Sequence, residues 1–162
     1  MMSISSNQIE IRMAEESDLD WILKLFQDCI LTVCREDYSQ AQLIAWTSAA
    51  ANMRRWKDKI QSQYFIVAHI NKKLVGFGAL ENKNVIDLLY VHKNCQRAGV
   101  GSKLFEHLVS TAQRQGIDVL KAQVSKTARP FFESKGFAIV HEQSKQIDAT
   151  ALQNYQMEKR FD

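Results

Sequence analysis

A short segment with two glycines lies between an apolar run and an amphipathic helix pattern, and this order of elements restricts the fold more than any other feature of the chain. The run Val85–Val91 is typical of a strand, Gly99 and Gly101 follow it, and the helical pattern starts near Gly101. A strand that turns through glycines into a helix leaves unpaired N–H groups at the positive end of the helix dipole. Glycine also permits positive φ and a close approach to the main chain. The segment therefore predicts a phosphate-binding turn in a domain that contains both strands and helices.

The rest of the chain alternates between strand-like and helix-like patterns, without an internal repeat or a low-complexity linker. Three apolar runs separated by short Asn- and Lys-containing turns predict an antiparallel meander. The pattern as a whole predicts an α/β (α+β) domain with a mixed sheet. Strands are expected at 9–13, 64–70, 74–80, 85–91, 119–124, 137–143 and 155–160, and helices at 19–30, 40–50, 53–60, 101–115 and 127–135.

Length and composition predict one enzyme-sized domain, 1–162, with residues 1–8 as a flexible N-terminus. A net charge of +3 without a basic stripe argues against a nucleic-acid partner. No segment is apolar and long enough to be a signal peptide or to span a bilayer, and the three cysteines show no CxxC spacing. We therefore expect a cytoplasmic location and no membrane partner. The four histidines have no ligand spacing, so we expect no metal site.

The spacing of the glycines selects among phosphate-binding motifs. The segment does not match GxxxxGK[ST], and a dinucleotide-binding GxGxxG would need a glycine where Leu104 stands. Gln96, Gly99 and Gly101 instead match QxxGxG. This pattern resembles the acyl-CoA pyrophosphate loop of the GNAT superfamily of N-acetyltransferases.

Two flanking segments extend this resemblance. Residues 89–92 resemble the end of the fourth strand of that family, and residues 128–137 resemble its second signature helix. The order of elements from residue 9 to residue 160 resembles the whole fold. Residues 37–42, 129–132 and 152–159, together with Trp46 and Trp56, resemble the YafP-like branch of small-substrate acetyltransferases. The resemblance implies a single GNAT-like domain with a central mixed, mostly antiparallel sheet of six to seven strands flanked by helices, in which strands 4 and 5 are splayed.

The resemblance also implies acetyl-CoA as acyl donor and a role for the main chain in holding it. The main chain of Leu89, Tyr90 and Val91 is expected to pair with the pantetheine arm, and the Val91 amide to face the acetyl carbonyl, where it would stabilise the oxyanion. Arg97 and Lys103 are expected to add charge at the edge of the pyrophosphate. The segment expected to wrap the pyrophosphate comprises Gln96, Arg97, Ala98, Gly99, Val100, Gly101 and Ser102.

Two carboxylates are candidates for the general base, and the sequence does not decide between them. Period two places Asp87 on one strand face with Val85 and Leu89, and a lone carboxylate in an apolar strand would have a raised pKa. Glu81 ends the preceding strand, near the same opening, and either residue could act through a water. The alternative for both is a solvent-facing carboxylate or one that pairs with a structural partner.

The second signature helix departs from the family pattern. Phe132 stands where the family often has a tyrosine acid, and Ser125 stands where it often has an asparagine. A thiol pKa near 8.5 makes the thiolate a tolerable leaving group, so water or a weak acid could protonate it. We therefore expect no essential tyrosine acid, and we expect Phe131 and Phe132 to pack against the coenzyme arm or the core.

The acceptor pocket is expected between the N-terminal helices and the last strands. Tyr38, Trp46 and Trp56 could form an aromatic wall that holds a small amine, with core packing as the alternative for each. Three functions remain open: an N-acetyltransferase for a primary amine of a small molecule, a protein or peptide N-acetyltransferase, and a non-catalytic acyl-CoA-binding module. A monomer or a homodimer is expected.

Overall fold

The computed structural model describes residues 8–162, and the predicted segment 1–8 lies outside them except for Gln8. Seven strands form one sheet in the order β1-β2-β3-β4-β5-β7-β6, so the predicted mixed, mostly antiparallel sheet is confirmed. The strands are β1 Ile9–Met13, β2 Tyr64–Ile70, β3 Lys73–Glu81, β4 Val85–Val91, β5 Val119–Ser125, β6 Ala138–Ile147 and β7 Thr150–Arg160. The helices are α1 Leu19–Val33, α2 Gln40–Thr47, α3 Met53–Ser62, α4 Val100–Arg114 and α5 Arg129–Ser134.

Strands β2, β3 and β4 form the predicted antiparallel meander, and β1 pairs with β2 at its edge. Both hairpins turn through two residues with positive φ, Asn71 and Lys72 in the first and Asn82 and Lys83 in the second. Two such residues are the requirement of a type I′ turn, whose twist matches the twist of the strands. The other half of the sheet consists of β5, β7 and β6, which pair in antiparallel fashion.

The two halves of the sheet meet only where β4 runs parallel to β5. This pairing covers two positions, Val85 opposite Lys121 and Ile86 opposite Ala122. Each strand then continues without pairing to the other, β4 to Val91 and β5 to Ser125. The splay of strands 4 and 5 is therefore present. We call the space between residues 88–91 of β4 and residues 123–125 of β5 the strand gap.

Helices cover both faces of the sheet. On one side, called the α1–α3 face, Phe26 and Ile30 of α1 pack in a cluster with Phe65 and Phe77 of the sheet. On the other side, the α4–α5 face, α4 packs over the sheet with its buried residues at helical spacing. Members of that second cluster include Ile66, Val75, Val100, Leu104, Leu108, Leu120, Val124, Phe132 and Met157.

The last two strands are longer than the sequence predicted. The prediction gave 137–143 and 155–160, whereas the structure extends the pair into a hairpin that turns at Asp148 and Ala149. Nearly every side chain of β6 is exposed, so the strand has no apolar alternation by which it could be recognised. Its backbone pairing with β7 creates the strand instead.

Candidate active site

The glycine turn has the predicted geometry of a strand, a turn and a helix. After β4 the chain makes a short 3-10 turn at Lys93–Cys95, and Arg97 and Gly99 then adopt positive φ of 59° and 88°. Helix α4 starts at Val100 with Gly99 as its N-cap, and glycine has no side chain with which to cap this terminus. The first amides of α4 are thus available to an anion.

The two glycines of the turn have different surroundings. A Cβ at Gly99 would meet no heavy atom of the described chain within 4 Å, so only the positive φ requires glycine there. A Cβ at Gly101 would lie 3.6 Å from Val91 and 3.6 Å from Phe131. Gly101 therefore keeps open the space between the end of β4 and helix α5.

The polar side chains of the turn are partly engaged by the protein itself. Gln96 donates from Nε2 to the carbonyl oxygen of Val91 at 2.7 Å, which ties the turn to the end of β4. Lys103 donates from Nζ to the carbonyl oxygen of Ile9 at 2.5 Å, so its ammonium contacts β1. Arg97 is exposed beside the turn. Of the two expected cations, Arg97 is thus the one whose side chain extends into solvent at the turn.

The register of β4 shows which of its main-chain groups face the strand gap. His92 donates its N–H to the carbonyl oxygen of Val75 on β3, and hydrogen-bonded and non-bonded pairs alternate along an antiparallel ladder. Tyr90 therefore pairs with Phe77, whereas the N–H and C=O groups of Leu89 and Val91 point away from β3 into the gap. The expectation that all three residues are free is wrong for Tyr90, whose groups pair with β3. The groups of Leu89 and the N–H of Val91 face the gap, whereas the Val91 carbonyl oxygen accepts from Gln96.

The same alternation applies to β5 on the other side of the gap. Phe161 donates its N–H to the carbonyl oxygen of Asp118, which fixes the bonded pairs of β5 and β7. Gln123 and Ser125 consequently turn their main-chain groups toward β4. Both sides of the strand gap thus carry backbone groups that the sheet itself does not use, although the Val91 carbonyl oxygen is bound by the Gln96 side chain.

Asp87 is a bulge residue, and its surroundings differ from the prediction. The register between β3 and β4 shifts at this point, so Asp87 has no partner on β3 and does not share a face with Leu89. Its carboxylate accepts hydrogen bonds from Lys59 Nζ at 2.5 Å and from Gln63 Nε2 at 3.0 Å, both on or just after α3. The premise of a lone carboxylate is therefore wrong, since Asp87 forms a partly buried ion pair on the α1–α3 face.

Glu81 is far from the opening at which the sequence placed it. It pairs with Val85, at the end of β4 where β4 and β5 are still hydrogen-bonded. Val91 lies six residues farther along β4, which corresponds to about 20 Å. The expectation that Glu81 and Asp87 share one opening is wrong, because the antiparallel hairpin places Glu81 at the closed end of the sheet.

Of the three aromatic residues expected in the acceptor pocket, Trp56 belongs to the core. It is 3% exposed, packs edge-on against Phe26 and Phe77, and donates from Nε1 to the carbonyl oxygen of Ala49. This contradicts its expected role as a pocket wall and agrees with the alternative of core packing. The prediction failed because a large aromatic residue on an amphipathic helix can either line a pocket or pack in the core.

Tyr38 joins three parts of the chain. Its hydroxyl donates to the carbonyl oxygen of Gln153 on β7 at 2.7 Å and accepts from the N–H of Lys126 after β5 at 2.9 Å. Next to it, Asp37 accepts a hydrogen bond from the Thr127 hydroxyl at 2.7 Å. The connection between α1 and α2, residues 34–39, is therefore fastened across the open end of the sheet.

Trp46 continues this arrangement toward β4. Its ring lies edge-on to Tyr38 at 5.4 Å between centroids, and its indole group lies beside the phenol of Tyr90. Burial raises the pKa of Tyr90 well above that of an ordinary phenol, and burial also raises the pKa of Tyr38. Tyr38, Trp46 and Tyr90 thus form an uncharged aromatic row from the tip of β5 to β4.

The residues near α5 that the sequence suggested for coenzyme binding lie in two different environments, the turn before α5 and the core. Ser125 accepts a hydrogen bond at Oγ from the N–H of Ala128 and so fixes the turn into α5. Phe132 is 5% exposed and packs against Phe105 and Phe137, whereas Phe131 is only partly buried beside Gly101. Phe132 is a core residue, and Phe131 is the one that lines the space next to the glycine turn.

Two buried thiols near the gap were not predicted from the sequence. Cys29 of α1 lies within hydrogen-bonding reach of the Val91 amide, and burial raises its pKa to about 12. Burial raises the pKa of Cys34 to about 11. Both thiols stay protonated at neutral pH, which makes them poor nucleophiles. The sequence places Cys29 on the buried face of α1, but it does not show that this face packs next to Val91.

The described part of the chain holds neither a metal-binding cluster nor a membrane-spanning helix. Among residues 8–162, no group of three or more His, Cys, Asp or Glu side chains is arranged to hold a metal ion. None of the described helices has both the length and the apolar character needed to cross a membrane.

Comparison with known proteins places this geometry among acetyltransferases. A family model for the acetyltransferase (GNAT) domain matches residues 34–159. The chain is 31% identical over 151 residues to the uncharacterized N-acetyltransferase YafP of Escherichia coli K12, with 93% of this chain and 95% of that protein covered.

Solved structures show the same fold. The crystal structure of a GCN5-related N-acetyltransferase (aminotransferase, class II) from Rhodopseudomonas palustris superimposes with a TM-score of 0.93 at 27% identity, over 99% of both chains. The PaiA N-acetyltransferase from Thermoplasma acidophilum, crystallised with coenzyme A, has a TM-score of 0.78 at 18% identity, over 94% of this chain and 99% of that one.

Proposed function

The chain belongs to the GNAT family of acetyltransferases, and from this membership we propose that it transfers the acetyl group of acetyl-CoA to a primary amine of a small molecule. That it is an acetyl-CoA-dependent N-acetyltransferase follows from the family. The class of acceptor and the direct attack within a ternary complex are our proposal, as are the roles of individual residues given below.

The strand gap is the observation that supports this function most strongly. The pantetheine arm carries amide groups along an extended chain, so it can pair with an open strand edge much as a peptide strand does. Leu89 and Val91 offer such an edge on β4, and Gln123 and Ser125 offer one on β5. The pyrophosphate would then lie at the glycine turn, against the first amides of α4.

In this arrangement the thioester lies at the gap, and the acceptor approaches from the α1–α3 face. The amine nitrogen forms a bond to the acetyl carbon, the Val91 amide stabilises the oxyanion, and the carbon–sulfur bond then breaks. Cys29 is a weak acceptor for the Val91 amide, so the carbonyl oxygen would replace it there. The departing thiolate takes its proton from solvent, because its pKa near 8.5 does not require a strong acid.

Asp87 is the proposed base; it lies four residues before Val91 on β4, about 13 Å along the strand, so it would act through a chain of waters. It lies on the α1–α3 face, from which the acceptor comes, and Lys59 and Gln63 fix its carboxylate. The proton leaves the amine nitrogen and passes to this carboxylate. The phenol of Tyr90 is a poor alternative acid, because burial raises its pKa.

A small acceptor is supported by the way the open end of the sheet is covered. The α1–α2 connection is fastened to the loop after β5 and to β7, and the aromatic row lies next to it. A protein segment would need an open groove at this place. Because the α1–α2 connection covers this end of the sheet, the arrangement favours a compact acceptor over a protein segment.

The experiment measures thiol release from acetyl-CoA with a panel of small amines, beside the melting temperature with and without acetyl-CoA. A ligand that binds only the folded state stabilises it by about 2.7 kcal/mol at one hundred times its Kd. Gly101→Val should abolish this shift, because the valine fills the space between Val91 and Phe131. Ser110→Val, on an exposed position of the same helix, is the matched control for valine in a helix.

Two results would contradict the proposal. An acetyl-CoA shift that Gly101→Val leaves intact would show that the coenzyme binds elsewhere. Binding of acetyl-CoA without acetylation of any amine in the panel would favour the non-catalytic module over the enzyme for small amines.

A further inference from the structure

Lys126 lies at the acceptor side of the strand gap, and neither the fold nor the proposed chemistry accounts for its charge. It directly follows Ser125, the last residue of β5. Its N–H bonds the Tyr38 hydroxyl, and its Nζ lies 5.5 Å from the centroid of the Tyr38 ring. The side chain therefore turns back over the aromatic row, toward the face from which the acceptor comes.

The charge of Lys126 is not neutralised by a neighbouring acid. No carboxylate of residues 8–162 lies within 4.0 Å of its ammonium. Its contact with the Tyr38 ring orients the ammonium and leaves the positive charge in place. The side chain is only partly exposed, so water screens this charge less than it screens a fully solvated lysine.

Two carboxylates stand near the aromatic row, and neither forms an ion pair with Lys126. Asp87 is paired with Lys59, and Asp37 accepts a hydrogen bond from the neutral Thr127 hydroxyl. The phenols of Tyr38 and Tyr90 are neutral, since burial raises both pKa values. The acceptor side of the gap thus combines neutral aromatic side chains with the partly exposed ammonium of Lys126. This ammonium has no ion-pair partner among residues 8–162.

We propose that Lys126 binds an anionic group of the acceptor, and that the acceptors of this enzyme are amines that also carry a carboxylate, such as amino acids. This inference rests on the proposed function and specifies its substrate class. The carboxylate would bind at the tip of β5 while the amine reaches across the row toward the thioester. A polycationic acceptor would be repelled by the same lysine.

The test uses sets of three matched acceptors: an amino acid, its carboxamide and its decarboxylated amine, for example tyrosine, tyrosinamide and tyramine. The amide keeps the size of the acid and removes its charge. For each acceptor, kcat/KM is measured at saturating acetyl-CoA for the wild type and for Lys126→Gln. The ratio of the two enzymes cancels the intrinsic reactivity of each amine.

Lys126→Gln should lower kcat/KM for the acids by about tenfold or more, through KM, because a charge-assisted hydrogen bond is lost. The amides and amines should change by less than about twofold. Lys126→Arg should keep the preference for acids, since it keeps the charge. Lys121→Gln is the matched control, because this lysine stands on β5 at the closed end of the sheet, opposite Val85.

The outcomes separate this inference from the proposed function. Acetylation of amines with no preference for acids, or an equal loss for acids and amides in Lys126→Gln, would overturn the carboxylate inference alone. No acetylation of any member of the panel, with acetyl-CoA still bound, would overturn the proposed small-amine function itself.

Discussion

Gly99 and Gly101 stand two residues apart and are required for different physical reasons. Gly99 has a φ of 88° and open space around it, whereas Gly101 is helical and borders Val91 and Phe131. The sequence motif does not distinguish the two glycines. In the structure, Gly99 is needed for its positive φ and Gly101 for the space beside Val91 and Phe131.

We predict that Gly99→Ala lowers the free energy of unfolding by about 1–2 kcal/mol, because an L-residue is strained at positive φ. Gly101→Ala should leave stability unchanged or raise it slightly, since alanine favours a helix and its Cβ meets only ordinary contacts. Urea unfolding of both variants measures the difference. Equal destabilisation by the two substitutions would contradict this division of roles.

The ion pair of Asp87 and Lys59 gives the proposed base a test by substitution. Asp87→Asn should reduce turnover by about 10²- to 10⁴-fold, the usual contribution of a general base. In Lys59→Gln the carboxylate loses one of the two groups that fix its position, so kcat/KM for the acceptor should fall by less than in Asp87→Asn. Steady-state kinetics with the acceptor, beside the Kd for acetyl-CoA, measures both effects. Near-normal turnover in Asp87→Asn would argue that Asp87 is only structural.

At the scale of elements, the α1–α2 connection holds the two halves of the sheet at a fixed separation. It crosses from α1, which packs on β3 and β4, to the loop after β5 and to β7. Since β4 and β5 share two residue pairs at one end only, these contacts determine the width of the gap at the other end. Its polar residues thus have a positioning role that the sequence interpretation of Tyr38 as a substrate contact did not include.

Tyr38→Phe should therefore weaken acetyl-CoA binding as well as lower stability. The substitution removes two hydrogen bonds and leaves the Lys126 N–H and the Gln153 carbonyl without their partner. The expected loss is about 1–3 kcal/mol in unfolding, with a raised Kd for acetyl-CoA. Thr127→Val, which releases Asp37, should act in the same direction.

Calorimetric titration with acetyl-CoA and thermal unfolding provide the two readouts. Tyr64→Phe, at the start of β2, is the matched control. An unchanged Kd in Tyr38→Phe, together with a loss of stability, would show that the connection supports the fold without setting the gap.

For the whole molecule, the gap predicts a pattern of amide exchange that alternates along β4. Without ligand, the amides of Leu89 and Val91 should exchange faster than that of Tyr90, which pairs with Phe77. Acetyl-CoA should slow the two exposed amides and leave Tyr90 little changed. Residue-resolved hydrogen exchange by NMR measures this. Uniform protection along β4 without ligand would contradict the register argument.

The sequence predicted the architecture well because the relevant signals are local. Apolar periodicity identified the meander and α4, and the cap of α2 is equally local, since the Ser39 hydroxyl accepts from the Gln42 N–H. The bulge at Asp87, the distance of Glu81 from the gap and the burial of Trp56 depend on pairing between distant segments. A single sequence carries no direct signal for such register, so the fold was more predictable than the site.

The gap also means that this sheet has four edges instead of two. Unpaired strand edges attract other strands, and proteins usually cover them. A coenzyme seated between β4 and β5 would cover the two inner edges from within, much as a neighbouring strand covers its partner. Without its coenzyme, the chain would then be most prone to pairing with strands of other molecules and to self-association. The acyl donor would thus protect the protein from aggregation in addition to serving as a substrate.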